Sequence, residues 1–255
     1  MLEIKSIPAF NDNYIWLIQN SDKRCAVVDP GDAAPVLRHL ADEGLTLVAI
    51  LVTHHHPDHV GGIEAIVAEH PVPVFGPAME DIAGITHPVS QDDEVLLPEL
   101  GAEFRVLDLP GHTAGHVGYY GEGVLFCGDT LFAAGCGRLF EGTPAQMYDS
   151  LGKLAALAGD TQVYCTHEYT LSNLAFAAAV EPSNAAITER IVSSQALRAA
   201  GTPTVPFPLE GELLTNPFLR SREPEVIQQA QVQAGHALAA PVEVFAAIRE
   251  WKNRF

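Results

Sequence analysis

The sequence predicts an α+β protein with a strand-rich body over residues 1–167 and a helical region over residues 168–255. Up to residue 165, short apolar runs rich in β-branched residues end in loops that carry glycine, histidine and aspartate, a pattern typical of buried strands and their ends. From residue 171 onward the strand-like runs stop, and alanine-rich segments with helical spacing replace them. A chain of 255 residues is long enough for one large domain with such an appendage.

In the first half of the body, turn residues and hydrophobic periodicity mark the elements. Residues 20–22 are turn-like and separate two apolar runs, whereas Val36, Leu37 and Leu40 share one helical face. The patterns predict, in order, strands over residues 13–18 and 25–28, a helix over 34–43, a strand over 45–52, a helix over 61–70 and a strand over 72–75.

The second half of the body and the helical region follow the same logic. Residues 81–90 have no clear period and predict a loop that contains His87. Strands are expected over residues 103–109, 117–120, 124–127 and 163–165, and Thr143 followed by Pro144 predicts the start of a helix. Further helices are expected over residues 171–180, 185–200, 223–234 and 241–251, with the proline-rich residues 202–208 as a connector.

The loop after predicted strand 45–52 carries three consecutive histidines, a proline, an aspartate and a fourth histidine. A purification tag or a solvated histidine patch is the alternative interpretation, but a tag lies at a terminus and lacks the interleaved Asp58. Imidazole and carboxylate are ligands that suit zinc, manganese or iron. Alternation along an extended backbone directs His54 and His56 to one side, and Asp58 and His59 then face a second position.

Three further strand ends, at His112, Asp129 and His167, carry side chains that bind metals. The predicted ligands form two sets joined by a bridging carboxylate: His54, His56 and His112 for one ion, Asp58, His59 and His167 for the other, and Asp129 between them. Three protein ligands per ion and a shared carboxylate leave an open position, which is typical of a catalytic rather than a structural site.

Two residues near this site and the basic terminus each allow two interpretations. Asp29 either starts the turn after its strand or accepts a hydrogen bond that orients the histidine loop. His116 is either a further ligand or a hydrogen-bonding residue within its own loop. Arg249, Lys252 and Arg254 either complete the dipole of a C-terminal helix or bind an anion at the mouth of a pocket.

The composition argues against several classes of function. Lys and Arg number 14 against 32 Asp and Glu, and the net charge of −18 disfavours nucleic-acid binding, which requires cations to displace counterions. No run approaches the roughly 20 apolar residues of a membrane span, and residues 1–5 lack the layout of a signal peptide. The four cysteines form no C-x-x-C pair and predict reduced thiols. We therefore expect a cytoplasmic protein that binds neither nucleic acid nor membrane. We also expect a monomer, although composition does not determine the oligomeric state.

Motifs along the whole chain resemble one family. The H-x-H-x-D-H loop, together with Gly111-His112, Gly128-Asp129 and Thr166-His167, is similar to the metallo-β-lactamase superfamily, which implies a four-layer αββα sandwich. Other stretches resemble its hydroxyacylglutathione hydrolase (glyoxalase II) family and imply a C-terminal all-α substrate-binding domain: residues 10–14, 53–62, 110–113, 128–132, 135–138, 167–170, 216–220 and the basic terminus.

The resemblance implies an activity and a set of substrate contacts. The implied reaction is hydrolysis of S-(R)-lactoylglutathione, or another S-2-hydroxyacylglutathione, to D-lactate and glutathione, the second step of methylglyoxal detoxification. The implied cofactors are two divalent metal ions, zinc in preference to iron or manganese, held by the ligand sets given above. The residues implied to hold glutathione are Arg138, Phe140, Tyr169, Arg249 and Lys252, and Phe140 departs from the tyrosine of many relatives.

The implied chemistry is attack of an activated hydroxide on the thioester. Two cations lower the pKa of a shared water from about 15.7 to near 7, and Asp58 orients the hydroxide and accepts its proton. The leaving thiolate has a solution pKa of about 8.5 and needs little acid assistance. The alternatives are a persulfide dioxygenase or a lactonase of the same superfamily, and a metal-binding module without enzymatic activity.

Overall fold

In the computed structural model, which describes residues 2–255, the chain divides into two compact units. The first contains the chain up to Leu109 together with Thr113–Gly128, and the second contains Pro110–His112 together with Asp129–Phe255. Crossing a lipid bilayer would require a longer and more apolar helix than any found in residues 2–255.

The first unit is built mainly from strands. Its strands are β1 (Glu3–Ala9), β2 (Asn13–Gln19), β3 (Arg24–Val28), β4 (Thr46–Leu51), β5 (Val74–Pro77), β6 (His87–Val89), β7 (Glu94–Leu97), β8 (Ala102–Asp108), β9 (Val117–Gly121) and β10 (Val124–Gly128). Its helices are α1 (Ala33–Glu43), α2 (Pro57–Val60) and α3 (Ile63–Glu69).

Strands β1 to β6 form a six-stranded sheet in chain order. The first three strands are antiparallel, and β3 to β6 are parallel. The apolar faces of α1 and α3, with Val36, Leu40 and Ile66 buried, pack in one core with residues of this sheet. Because β3 and β4 are parallel, Asp29 and Thr53, which follow them, lie at the same edge of the sheet.

Strands β7 to β10 form an antiparallel arrangement in the spatial order β10-β9-β8-β7. Tyr119 on β9 is fully buried, and its hydroxyl donates a hydrogen bond of 2.8 Å to the backbone oxygen of Val52. The backbone N–H of Val117 donates to the oxygen of Thr53 at 2.9 Å. These two bonds connect β9 to the first residues of the histidine loop.

The second unit consists mainly of helices. Its elements are β11 (Leu131–Phe132), β12 (Gly135–Cys136), α4 (Pro144–Ala155), β13 (Gln162–Cys165), α5 (Thr170–Val180), α6 (Ala185–Ala199), β14 (Phe207–Pro208), α7 (Leu209–Thr215), α8 (Pro224–Ala234) and α9 (Pro241–Arg254). Strands β11 and β12 form an antiparallel hairpin. Helix α4 begins at the predicted place, because Thr143 and Gln146 form a reciprocal capping box.

The structure corrects the expected loop over residues 81–90 and the expected connector over residues 202–208. The first contains β6, whose three residues pair in parallel with β5 and are too few to show a period. The second ends in β14, which pairs with β13, and is followed by the unpredicted helix α7 of only seven residues. In each case, pairing or packing with a distant segment decides the structure, which a local pattern does not reveal.

Gly31 allows the histidine loop to lie directly against the end of β3. A Cβ atom at this position would lie 1.8 Å from the backbone oxygen of Asp58 and 2.3 Å from its carbonyl carbon. Backbone atoms cannot move aside as the end of a flexible side chain can, so the position requires glycine. Gly152, which is exposed on α4, has nothing within 4 Å of the corresponding point.

We expect Gly31→Ala to lower the free energy of unfolding by about 1–3 kcal/mol, the usual cost of overpacking, because the loop that carries Asp58 must move. Gly152→Ala is the control and should be neutral or stabilising by about 0.5–1 kcal/mol, since alanine favours the helix over glycine. Urea unfolding followed by circular dichroism measures both variants. A Gly31→Ala protein as stable as the wild type would contradict the close approach.

Candidate active site

The histidine loop, residues 53–59, follows β4 and runs into the short helix α2, which carries Asp58 and His59. Its predicted ligands lie together in the first unit. The Nε2 atom of His54 lies 3.1 Å from Nδ1 of His56, and Nε2 of His59 lies 3.6 Å from Oδ2 of Asp58. The side chains of His54 and His59 are fully buried, whereas Asp58 is partly exposed. The segment therefore presents two pairs of atoms that could bind a metal, one pair before Pro57 in the sequence and one pair after it.

Asp29 orients this loop. Its carboxylate accepts hydrogen bonds from the N–H of Thr53 at 2.8 Å, from the Thr53 hydroxyl at 2.7 Å and from Nδ1 of His59 at 3.0 Å. The Thr53 hydroxyl gives its only proton to Asp29, so it accepts from Nδ1 of His54 at 3.1 Å. In both His54 and His59, Nδ1 therefore holds the proton and Nε2 keeps its lone pair. Of the two interpretations of Asp29, the structure supports the orienting role.

Sequence reasoning assigned no role to two other partners of the loop, Asn13 and Glu80. The side-chain amide of Asn13 donates to Oδ2 of Asp58 at 2.9 Å. Glu80 is buried and accepts from Nδ1 of His55 at 3.0 Å, from the N–H of Gly115 at 3.2 Å and from the hydroxyl of Thr113. Asn13 lies in residues 10–14, one of the stretches that resemble the family, whereas the sequence around Glu80 shows no pattern that indicates its contacts.

His116 packs against the histidine loop. Its buried ring stacks on that of His54, with centroids 4.7 Å apart and planes inclined by 22°. Its backbone oxygen accepts from the N–H of Leu109 at 2.8 Å. The ring contact favours a packing role for His116 against the histidine loop.

The second unit brings together the remaining predicted ligands. The Oδ2 atom of Asp129 lies 3.4 Å from Nε2 of His112 and 3.4 Å from Nε2 of His167. All three side chains are at least nine-tenths buried. Nδ1 of His112 donates to the backbone oxygen of Arg138 at 2.9 Å, so the Nε2 lone pair faces Asp129. Gly137 permits this arrangement, because a Cβ atom at that position would lie only 2.0 Å from the backbone oxygen of Asp129.

The donor atoms within each unit fit divalent metal ions. Two ligands of one tetrahedral zinc ion, each about 2.0–2.1 Å from the metal, lie roughly 3.3 Å apart. The separations of 3.1 Å and 3.6 Å in the first unit and of 3.4 Å in the second are close to this value. In His54, His59 and His112, a hydrogen bond at Nδ1 leaves Nε2 as the donor, the arrangement typical of metal-bound histidine.

A cavity of about 550 Å³ opens beside the ligands of the second unit. Its lining includes two predicted metal ligands and every residue predicted to hold the substrate: His112, Asp129, Arg138, Phe140, Tyr169, Arg249 and Lys252. The cavity therefore combines two predicted metal ligands with three cationic side chains, in a chain whose net charge is −18.

The two cationic residues of α9 are held differently. Arg249 is 5% exposed; its Nη1 donates to the backbone oxygen of Cys136 at 2.8 Å and its Nη2 to Oδ1 of Asn253 at 3.2 Å. Lys252 is half-buried and donates to the backbone oxygen of Ser172 at 3.1 Å. Arg249 thus braces the cavity wall, and Lys252 is better placed to meet an anion.

Burial and like charge change the pKa values of two groups in the cavity. Burial, reinforced by the charges of Arg249 and Arg138, lowers the pKa of Lys252 to about 8. Burial also raises the pKa of the Cys136 thiol, and the neighbouring Arg249 only partly offsets this effect. At neutral pH, Lys252 is therefore an ammonium close to its titration point and Cys136 is a neutral thiol.

Aromatic rings lie next to two of the predicted metal ligands, His112 and His167. The ring of Tyr169 is stacked on His167 with centroids 4.7 Å apart and planes inclined by 1°. Phe132 contacts both rings edge-on, with centroid distances of 5.8 Å and 5.4 Å. Phe140 is 63% exposed and lies edge-on to His112 at 5.3 Å. These rings form an apolar rim next to the ligand atoms.

Two protein-family models match the chain. The model described as "Metallo-beta-lactamase superfamily" matches residues 9–167, and the model described as "Hydroxyacylglutathione hydrolase C-terminus" matches residues 168–255. A hydroxyacylglutathione hydrolase of Vibrio parahaemolyticus is 57% identical over 256 residues and covers 100% of both chains. The chain belongs to the hydroxyacylglutathione hydrolase family. A relative of the same name from Nitrosomonas europaea is 51% identical and covers 100% of this chain and 97% of its own.

Solved structures share the fold. ETHE1 from Myxococcus xanthus aligns with a TM-score of 0.66 at 24% identity, over 99% of this chain and 98% of its own. BLEG-1 B3 metallo-beta-lactamase aligns with a TM-score of 0.59 at 30% identity, over 65% of this chain and 91% of its own. A third protein, solved in a di-iron-bound form, aligns with a TM-score of 0.54 at 27% identity, over 65% of this chain and 91% of its own.

These matches confirm the predicted family and the predicted metallo-β-lactamase fold with a helical C-terminal region. They do not favour the alternative of a persulfide dioxygenase or lactonase, because relatives at 51–57% identity over the full chain carry the hydrolase name. The domain bounds at residues 1–167 and 168–255 and the roles of the individual site residues stay predictions.

We expect Asp29→Asn to weaken divalent-metal binding about 10- to 100-fold, the usual effect of removing a partner that orients a ligand. Asparagine keeps the size of the side chain and tolerates the positive φ of 52° at this position, but its amide replaces one acceptor oxygen with a donor. Competition with a chromogenic chelator measures the affinity. Asp22→Asn, at an exposed turn, is the control; if both variants bind metal like the wild type, the orienting role is wrong.

Proposed function

We propose that this chain is a thioester hydrolase that converts S-(R)-lactoylglutathione, an S-2-hydroxyacylglutathione, to D-lactate and glutathione. The observation that carries the proposal is the cavity of the second unit, in which the metal-capable His112 and Asp129 line the same space as three cationic side chains. Glutathione thioesters are anionic and carry a carbonyl that a metal can polarise, so one cavity meets both needs. Family membership supports the same reaction.

We further propose that the chain binds two divalent metal ions. The ligands are those expected from the sequence: His54, His56 and His112 for one ion, Asp58, His59 and His167 for the other, with Asp129 shared. Zinc is the proposed metal, because buried imidazole and carboxylate donors at the observed separations suit it, and iron or manganese would be accepted by the same donor types. Metal analysis of the purified protein tests both the number and the identity.

When bound, the metal ions would lower the pKa of a water molecule and polarise the thioester carbonyl. Asp58 is the proposed catalytic residue: it orients the attacking water and accepts its proton. The amide of Asn13, which donates to Oδ2 of Asp58 at 2.9 Å, fixes the rotation of this carboxylate. The thiol of glutathione leaves as a thiolate with a solution pKa of about 8.5, so no acid on the protein is required.

Substrate binding is assigned to the cationic and aromatic lining of the cavity. Lys252 and the exposed Arg138 are the proposed partners of the glutathione carboxylates, while Arg249 supplies positive charge from its braced position. Tyr169 offers a hydroxyl on a ring that is stacked on His167. Phe140 offers an apolar face but no hydroxyl, so glutathione is held there by contact alone.

The proposed setting of this activity is the cytoplasm. The four cysteines are buried thiols, as expected of a protein from a reducing compartment. The same compartment supplies glutathione. The monomeric state expected from the sequence stays a prediction, which the mass of the protein in solution tests.

The deciding experiment follows the loss of thioester absorbance with S-D-lactoylglutathione, using protein of known metal content before and after chelation. Rapid turnover that chelation abolishes and metal restores is the expected result. Absence of turnover by fully metallated protein would overturn the proposed substrate. Turnover that survives complete metal removal would overturn the proposed role of the metals.

Asp129→Ala should reduce both metal content and turnover, because this carboxylate lies 3.4 Å from two further ligands. Losing a residue that only orients a metal ligand typically lowers activity about 10- to 100-fold. Because Asp129 is itself a proposed ligand, we expect kcat/KM to fall by more than this. Asp149→Ala, at an exposed position on α4, is the control and should match the wild type. Full activity of Asp129→Ala with one metal ion per chain would refute the shared-ligand proposal.

The depressed pKa of Lys252 predicts a pH dependence of substrate capture. The ammonium form is lost as the pH rises through about 8, so kcat/KM, which reports the unliganded enzyme, should fall above that pH. In Lys252→Arg, the guanidinium stays charged throughout this range and kcat/KM should stay level to a higher pH. The kcat/KM of Lys252→Met should be low and should not change with pH over the same range. A pH profile identical in wild type and Lys252→Arg would contradict the proposed contact.

A further inference from the structure

The short hairpin β11–β12 forms part of the cavity wall. Phe132 on its first strand and Cys136 on its second both line the cavity. The backbone oxygen of Cys136 accepts the 2.8 Å hydrogen bond of Arg249, and that of Arg138, two residues later, accepts the 2.9 Å bond of His112. The position of this hairpin therefore determines where the cationic and metal-binding sides of the wall lie.

Helix α7 and its C-cap hold the hairpin by buried polar contacts. Glu212 is fully buried, and its Oε2 accepts from the N–H of Ala134 at 2.8 Å and from Nδ2 of Asn216 at 2.9 Å. The same Nδ2 atom lies 2.9 Å from the backbone oxygen of Gly135 and 3.2 Å from that of Phe132. Two side chains of the helical region thus bond to three residues of one hairpin.

The backbone of the hairpin shows that these contacts impose its shape. Ala134 has a φ of 54°, a conformation that alanine adopts only where its surroundings require it. A Cβ at Gly135 would lie 2.4 Å from Nδ2 of Asn173, which donates to the backbone oxygen of Ala133 at 3.1 Å. The hairpin is consequently enclosed by helical side chains on more than one side.

Arg190 on α6 completes the arrangement. Its guanidinium forms an ion pair with Oε1 of Glu212 and lies over the ring of Phe207 at 5.4 Å. A buried carboxylate costs free energy unless it is paired, and Arg190 supplies this partner for Glu212 next to the hairpin. We call Arg190, Glu212 and Asn216 the hairpin clamp.

We propose that the hairpin clamp is a positioning device for substrate binding: Glu212, paired with Arg190, acts through Asn216 and the hairpin to set the wall that receives the glutathione thioester. This inference rests on the proposed function. The clamp does not touch the substrate, so its loss should weaken binding more than it slows the chemical step. A purely structural role would lower stability and leave substrate affinity unchanged.

Glu212→Gln is the informative variant. Glutamine has nearly the same shape, but its amide nitrogen is a donor and not an acceptor. This nitrogen must face either the guanidinium of Arg190 or the N–H groups of Ala134 and Asn216. One of these two sets of contacts is therefore lost. Glu210→Gln makes the same chemical change at an exposed position of the same helix and is the matched control.

We expect Glu212→Gln to raise KM for S-D-lactoylglutathione and the inhibition constant of S-hexylglutathione about tenfold, with kcat within about threefold of wild type, the pattern of lost uniform binding. Amide hydrogen exchange over residues 131–138 should accelerate, and metal content should be unchanged. Glu210→Gln should match the wild type in every measurement. If Glu212→Gln does not fold, Asn216→Ala, which removes the bonds to Phe132 and Gly135, takes its place with the same expected changes.

The readouts separate failure of this inference from failure of the proposed function. An active wild type combined with faster exchange but unchanged KM and inhibition constant in the variant would overturn the positioning role. Loss of metal and kcat at constant KM would also overturn it, because the clamp would then serve the metal ligands. A wild-type protein that neither hydrolyses the thioester nor binds S-hexylglutathione would overturn both the proposed function and this inference. A wild-type protein that binds S-hexylglutathione but does not hydrolyse the thioester would overturn only the proposed reaction.

Discussion

The hydrogen bonds of Asp29 are the interaction on which the histidine loop depends. A buried carboxylate is costly unless donors surround it, and here Thr53 and His59 supply three. These bonds join the end of β3 to the residues after β4 and fix which nitrogen of each ring carries its proton. The loop therefore presents ligand lone pairs in a fixed direction before any metal arrives, which lowers the cost of binding one.

The second unit concentrates positive charge around one cavity, although the protein as a whole is acidic. Arg249 and Lys252 lie on one face of α9 and share a cavity with Arg138. Burial, reinforced by repulsion from Arg249 and Arg138, lowers the pKa of Lys252 to about 8. An anionic ligand would reduce this repulsion. The cavity should therefore bind anions in preference to neutral or cationic molecules. The aromatic rings of Phe132, Phe140 and Tyr169 line the same cavity beside His112 and Asp129.

Several features of the fold were missed because they depend on distant partners. Strand β6 exists because it pairs with β5, and helix α7 is too short for its period to be recognised. The contacts of Glu80 and Glu212 were equally invisible, since a buried glutamate in a sequence looks like any surface glutamate. For Asp29, the sequence allowed two interpretations, and only the positions of Thr53 and His59 distinguish them.

The sequence by itself determined the types of donor, their order along the chain and the strand ends that carry them, because imidazole and carboxylate chemistry and the periodicity of strands are local properties. It also identified the family through motifs spread over the whole chain. Only the tertiary structure decided which buried polar group each donor meets: Asp29 bonds to His59 across 30 residues, and Glu212 bonds to Ala134 across 78. Such pairings follow from how strands and helices pack, and no local pattern encodes them.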